Sequence, residues 1–254
     1  MQSEAIHRVL PPEFLRAALR WMRSCCRRAT RWPPIGTVRF GNLRRVTPIS
    51  LEFGFDRGQP IDRYYIEKFL SNNAGDIRGH VLEIGDNSYT QKFGNDCVTR
   101  SDVLHVNPDN ARATIVGDLT TGQNIGSDSF DCIILTQTLQ FIYDTRAALG
   151  HLHRILKPGG TLLATVPGIS QISRYDMERW GDFWRFTSLS ALRLFEDAFP
   201  AGNVTVEAHG NVLVAIAFLE GLGVKELKCD ELDHRDRDYE LLITVKAVKV
   251  GDAP

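Results

Sequence analysis

Four acidic or polar positions punctuate the middle of the chain at the ends of apolar runs. Glu83 and Gly85 close "HVLEIG". Asp102 comes 19 residues after Glu83, in "VTRSDV". Asp118 closes "TIVGD", with Leu119 next, and Thr136 and Gln137 close "FDCIILTQ". If these runs are strands of a parallel sheet, their ends line up on the edge where such sheets bind ligands. An acid about 20 residues beyond the first loop suits a ribose diol, because a carboxylate accepts from both hydroxyls. An Asp after the third strand can accept from an adenine amino group.

The elements that would position these residues are legible as pattern. Seven strand-like runs are "HVLEIG", "VTRSDV", "TIVGD", "FDCIILTQ", "TLLATVP", "VTVEAHG" and "YELLITVKAVKV". Helical stretches lie between them, clearest at "TRAALGHLHRILKPGG", whose "PGG" reads as a sharp stop, and at "SLSALRLFEDAF". The alternation predicts a mostly parallel sheet covered on both faces. The last run is regular enough to pair with "VTVEAHG" as a hairpin, with the apolar helix "NVLVAIAFLEGL" between them. Upstream, "IDRYYIEKFLSNNAGD" predicts a helix N-capped by Asp62, with Ile66, Phe69 and Leu70 on its apolar face and "NNAG" ending it.

Charge is uneven. The chain of 254 residues carries a net charge of -1, but residues 1–35 carry +5 and the remainder -6. Residues 13–30 read as an amphipathic helix, with Leu15, Ala18, Leu19, Met22 and Cys26 on one face and Arg16, Arg20, Arg23 and Arg27 on another. Two readings stand: a helix that meets a membrane surface or a protein partner, and an extension packed on its own domain. The body has no basic stripe, so nucleic acid is not expected as a partner. The five cysteines, Cys25, Cys26, Cys97, Cys132 and Cys229, show no metal-ligand spacing and suggest a reducing compartment. His105 stands alone, and His151 and His153 face apart on a helix, so no metal site is expected. No apolar signal core or membrane span is legible.

"VLEIG", "SDV", "GDL", "DSFDCIILTQTLQFIYD" and "RAALGHLHRILKPGGTLLATVP", taken together, resemble a class I S-adenosylmethionine-dependent methyltransferase of the type 11 group. The resemblance covers roughly residues 79–250. It implies an α/β fold: a Rossmann-like doubly wound sheet of seven strands, the last antiparallel, here behind a helical N-terminal extension. With the residue patterns upstream, the chain divides into a basic amphipathic helix over 1–35, a cap or lid over 36–78 and the methyltransferase domain over 79–250. Cofactor contacts carry over to Glu83, Gly85, Asn87, Asp102, Asp118, Leu119, Thr136 and Gln137. "PISLEFGFDRGQPIDRYYIEKFL" also resembles methyltransferase-like proteins of bacterial surface-polysaccharide synthesis. The implied cofactor is S-adenosyl-L-methionine, the implied acceptor a small molecule or glycan methylated at oxygen, and the implied place the cytoplasm, at the inner membrane surface if the Arg-rich helix binds there.

The chain departs from the family in its glycine loop. After Gly85 come Asp86, Asn87, Ser88 and Tyr89, with Asn87 and Tyr89 where the family has glycines. Asn87 tolerates left-handed backbone and so could keep the turn, whereas the Tyr89 ring needs space or would cover the cofactor. Gln140 and Phe141 replace the family's Glu-His pair after the fourth strand. On the acceptor side, "GISQISRYDMERWGDFWRFTS" offers Tyr175, Asp176 and Arg185 as candidate catalytic groups, and its aromatic residues suit either a sugar ring or a core. Residues 56–65, with Arg57 and Arg63, suit either a lid holding a carboxylate or a salt-bridged edge. An open groove favours the enzyme; Tyr89 filling it favours a non-catalytic methyltransferase-like module acting as a partner or regulator in polysaccharide assembly. A nicotinamide dehydrogenase lacks its glycine fingerprint here.

Overall fold

The computed structural model describes residues 33–251. The basic helix read over 13–30, with Cys25 and Cys26, lies outside them. Two compact units divide after Val46. In the first, residues 33–46 carry a short 3-10 turn at Gly41–Leu43. The second contains every strand and helix named below.

Seven strands form one sheet: β1 (Gly79–Ile84), β2 (Val98–His105), β3 (Ile115–Val116), β4 (Phe130–Thr136), β5 (Leu156–Pro167), β6 (Val204–His209) and β7 (Leu242–Val248). Their order is β3-β2-β1-β4-β5-β7-β6. β1 to β5 pair in parallel, and β7 runs antiparallel to both β5 and β6. This is a Rossmann-like doubly wound sheet. The chain moves outward from β1 to β3, then returns to β4 on the other side of β1. The switch point therefore lies between β1 and β4, where such folds open a crevice.

Seven helices are described: α1 (Ile61–Asn72), α2 (Ser88–Phe93), α3 (Thr145–Ile155), α4 (Arg174–Met177), α5 (Ser188–Glu196), α6 (Val212–Leu219) and α7 (Cys229–Asp233). Successive strand residues point to opposite faces, so neighbours feed different cores. Leu82, Ile133 and Leu162 pack with Leu149, Leu152 and Phe195 on one side. Val81, Ile134 and Leu163 pack with Ile66, Leu70, Val214 and Phe218 on the other. Burial on both faces explains why β4 and β5 read as continuous apolar runs. None of the described helices is long and apolar enough to cross a membrane.

Local chemistry accounts for the helix ends and corrects two expectations. Asp144 caps α3 by accepting from the Ala147 N–H at 3.0 Å. Thr187 and Ser190 form a capping box on α5. Asp62 does not cap α1. Pro60 holds that position, and Asp62, in the first turn, accepts from the Arg63 N–H at 2.8 Å. α3 does stop at "LKPGG", but the strand read as "TLLATVP" begins earlier, directly at Leu156. Phe130 pairs with Leu156 and Cys132 with Thr161, so five steps along β5 stand against two on β4. The excess bulges through Gly159, whose φ of 78° needs a residue without Cβ.

Candidate cofactor and acceptor cavities

The end of β1 passes into the altered loop through Gly85. Its φ is 86°, and a Cβ there would meet nothing within 4 Å. Both of its backbone groups are held, the N–H by Leu104 O at 3.0 Å and the carbonyl by Asn110 Nδ2 at 2.7 Å. The turn therefore rests on Gly85 alone. Asn87 has φ -120°, outside the left-handed region, so the expectation that it preserves a second glycine's conformation does not hold. Asp86 instead organises the loop, accepting from Ser88 N at 2.9 Å and Ser88 Oγ at 2.5 Å.

Glu83 is buried and faces α2, not open space. It accepts from Tyr89 N at 3.2 Å, Thr90 N at 2.8 Å and Thr90 Oγ1 at 2.7 Å. Burial pushes its carboxyl up to about 7, against those three donors. Tyr89 turns away from the sheet edge. Its ring stacks on Phe93 with centroids 6.2 Å apart, and its hydroxyl lies 3.5 Å from Arg63.

A cavity of about 850 Å³ opens at the switch point. Ile84 and Gly85 form its β1 wall, and Leu104 and His105 its β2 wall. Asp118 and Leu119 contribute from beyond β3, and Thr138, Phe141 and Tyr143 from beyond β4. Trp180 and Phe183, from the segment after β5, form the remaining side. Asp118 accepts from Thr120 N at 2.7 Å and Thr120 Oγ1 at 2.8 Å through one oxygen, Oδ1. Tyr89 is not part of this wall, so the residue most at odds with a glycine loop does not obstruct it.

A smaller cavity of about 140 Å³ lies beside the ends of β4 and β5. Phe141 belongs to both walls. Asp62, Arg63, Gln137, Gln140, Asp176, Asp182 and Arg185 line it, with Phe53, Phe55 and Phe218 as apolar walls. Gln137 has φ 48°, a strained turn held by Thr165 O at 3.0 Å. Gln140 is buried; its Nε2 donates to Gln137 O at 2.9 Å, while its Oε1 has no partner. Burial pushes the Asp62 carboxyl up, opposed by the Arg63 charge. Arg185 makes a two-point pair with Asp182, at 2.6 and 2.9 Å, and bonds the carbonyls of Ser170 and Gln171.

The structure thus brings Gly85, Asp118 and Leu119 to the larger cavity, and Gln137, Asp176 and Arg185 to the smaller one. Thr136 ends β4 as expected, paired with Thr165. Tyr175 lies under Arg179, 3.4 Å from guanidinium carbon to ring centroid, outside both walls. Asp102 is a correction. It does not end β2, which continues to His105, and its register partner is Leu82 in mid-strand. It is buried, and it bonds His80 Nε2 at 2.6 Å, Thr114 Oγ1 at 2.8 Å and Arg100 at 2.9 Å. Its carboxylate is committed to the sheet. The residue at the strand end is His105. The signal was present: Val103, Leu104 and Val106 carry the apolar run past Asp102, and the breakers "NPDN" follow it. Among the described residues no cluster of three or more acidic, His or Cys side chains could hold a metal.

Comparison with known proteins meets the same region. Residues 85–164 match the family described as "Methyltransferase domain". This segment is similar to a methyltransferase domain. It starts at Gly85 and takes in the ends of β2, β3 and β4. Among solved structures, a SAM-dependent methyltransferase from Archaeoglobus fulgidus is 12% identical at TM-score 0.49, over 74% of this chain and 94% of that one. An S-adenosylmethionine-dependent methyltransferase from Mesorhizobium loti is 15% identical at TM-score 0.49, over 74% and 98%. The N-methyltransferase NodS from Bradyrhizobium japonicum WM9 is 17% identical at TM-score 0.46, over 76% and 99%. No curated protein matches the chain.

The cavity fits the cofactor of such a methyltransferase domain. Its size suits a nucleoside with an amino-acid tail, and its walls are mostly apolar with a few polar groups. The open space beside Gly85 allows close approach to the backbone.

Proposed function

We propose that the protein is an S-adenosylmethionine-dependent methyltransferase acting on a small or glycan-type acceptor, at oxygen. The carrying observation is the pair of cavities that share Phe141: a nucleoside-sized one at the switch point and a smaller polar one beside it. When bound, the cofactor supplies a methyl group already activated on a sulfonium, so the protein need only place and desolvate a nucleophile. Ile84, Gly85, Asp118 and Leu119 would hold the cofactor. The second oxygen of Asp118 would be free to accept from an adenine amino group. In the smaller cavity, Asp62 and Asp176 are the carboxylates at hand to take a hydroxyl proton. Asp62 suits that task better, because burial raises its carboxyl above the ordinary carboxylate value while Asp176 is tied to Ser173 Oγ at 2.6 Å. Arg185 positions the segment around Asp182.

The glycan reading is supported by exposed aromatic rings on the wall of the larger cavity: Tyr143, Trp180 and Phe183. The likeness of residues 48–70 to surface-polysaccharide methyltransferase-like proteins points the same way. Action in the cytoplasm, with residues 13–30 meeting the inner membrane, is part of this proposal. Vesicle binding by the full chain that survives Arg-to-Gln changes at 16, 20, 23 and 27 would remove that part.

The test is calorimetric titration with S-adenosylmethionine and its demethylated product. Micromolar binding, about -8 kcal/mol, weakened by Asp118→Ala, is expected. No binding by the folded protein overturns the proposal.

A further inference from the structure

A carboxylate at the end of the second strand is the usual partner of a nucleoside ribose, because it accepts from both hydroxyls. In this chain the residue that reaches the cavity there is His105. The nearest carboxylate on that strand, Asp102, is three residues back, buried and bonded to His80 and Thr114. No side chain of β2 or its exit loop that lines the cavity is acidic; the strand contributes Leu104 and His105, and the exit loop Val106.

His105 is held in place on two sides. Its Nδ1 lies 3.0 Å from the Asn107 N–H and 2.9 Å from the Asn107 carbonyl, so either tautomer finds a partner there. Its ring meets Trp180 edge-on, with centroids 5.8 Å apart and planes at 83°. Nε2 has no hydrogen-bond partner among the described residues. An imidazole fixed through Nδ1 and by ring packing presents one polar atom, where a carboxylate would present two.

We propose that His105 is the ribose-contacting residue of the cavity, binding one ribose hydroxyl through Nε2. This rests on the cavity being a cofactor site for S-adenosylmethionine. It makes the ribose a one-point contact and transfers part of the binding to the aromatic wall that Trp180 builds against the His105 ring. Nucleoside recognition then depends on the segment after β5 as well as on the sheet edge.

The experiment uses the full chain and two ligands, S-adenosylhomocysteine and its 2′,3′-dideoxy analogue, with affinities read by calorimetry. Loss of one hydrogen bond should weaken the wild-type protein's binding of the dideoxy ligand by about three- to tenfold. In His105→Ala that penalty should vanish, both ligands binding within about twofold of each other, because the difference isolates the contact from any general loss of affinity. In His105→Asp the penalty should exceed that of the wild type, since two acceptors then serve two hydroxyls. In Asp102→Asn it should persist. A penalty unchanged in His105→Ala, or abolished in Asp102→Asn, overturns the proposal. Failure of the folded wild-type chain to bind S-adenosylhomocysteine at all overturns the underlying cofactor assignment instead.

Discussion

Replacing Asp102 by Asn separates a structural carboxylate from a ligand-binding one. Asp102 has only 6% of its side chain exposed, and His80 has 18%. The substitution preserves shape and leaves an oxygen for Thr114 Oγ1, but removes the charge opposite His80. A hydrogen bond to a buried charged group contributes about 1.5–3 kcal/mol. The Arg100 pair adds little, about 0–1 kcal/mol, because that side chain is 66% exposed. The expected loss is thus about 2–3 kcal/mol. For a domain of this size each kcal/mol moves Tm by about 2–4 °C, giving a fall of roughly 4–12 °C. The sign with pH is also determined. Burial would raise the Asp102 carboxyl, but hydrogen bonds from His80 and Thr114 and the charge of Arg100 outweigh it and hold it below its ordinary value. Its stabilisation is therefore present above the ordinary carboxylate range and lost as pH falls through the depressed value. Wild-type and variant melts, followed by circular dichroism, should differ at pH 7.5 and converge in acid. Ligand affinity of the folded variant should stay within about threefold of wild type, which is under 1 kcal/mol. A variant with unchanged Tm that has lost cofactor binding would refute this reasoning and restore Asp102 to the ribose.

His209 is buried between Tyr65, whose ring stacks 5.4 Å away, and Thr244 Oγ1 at 3.0 Å. Burial, with the Arg235 charge, lowers its pKa to about 4, so the folded chain resists protonation and loses stability as pH falls from about 6.5 toward 4. His209→Phe should flatten that part of a denaturant-midpoint profile against pH by up to roughly 3 kcal/mol; an unchanged slope would show that another group carries it. Gly85→Ala should cost about 1–2 kcal/mol from left-handed strain alone, since its Cβ meets no atom within 4 Å. Because that Cβ would enter the cavity wall, ligand affinity should fall as well; calorimetry showing wild-type affinity would place the ligand elsewhere.

Much of the fold is written in local pattern. The apolar runs that became β1, β4 and β5 are buried on both faces, and continuous hydrophobicity is the mark of such strands. Thr145–Ile155 and Ser188–Glu196 carry their own capping residues, so their starts are local properties. The antiparallel pairing of β7 with β6 matches the partner read from its regular length, although a helix between two strands more often joins a parallel pair.

The sequence by itself determined the alternation of strands and helices, the breakers between them, the presence of Gly85, Asp118 and Gln137 near strand ends and that of Asp176 in the segment after β5. Tertiary structure decided which carboxylates remain available. Asp102 reads as a strand-end acid by spacing, but β2 runs three residues further, and packing against His80 and Thr114 consumes its charge. Glu83 is consumed likewise by the N–H groups of Tyr89 and Thr90. Tyr89, which looks obstructive beside Gly85, finds Phe93 and Arg63 on the other side of the loop. Each of these outcomes depends on partners distant in sequence. A side chain's type fixes what bonds it can make, and only the packed chain fixes which of them are already made.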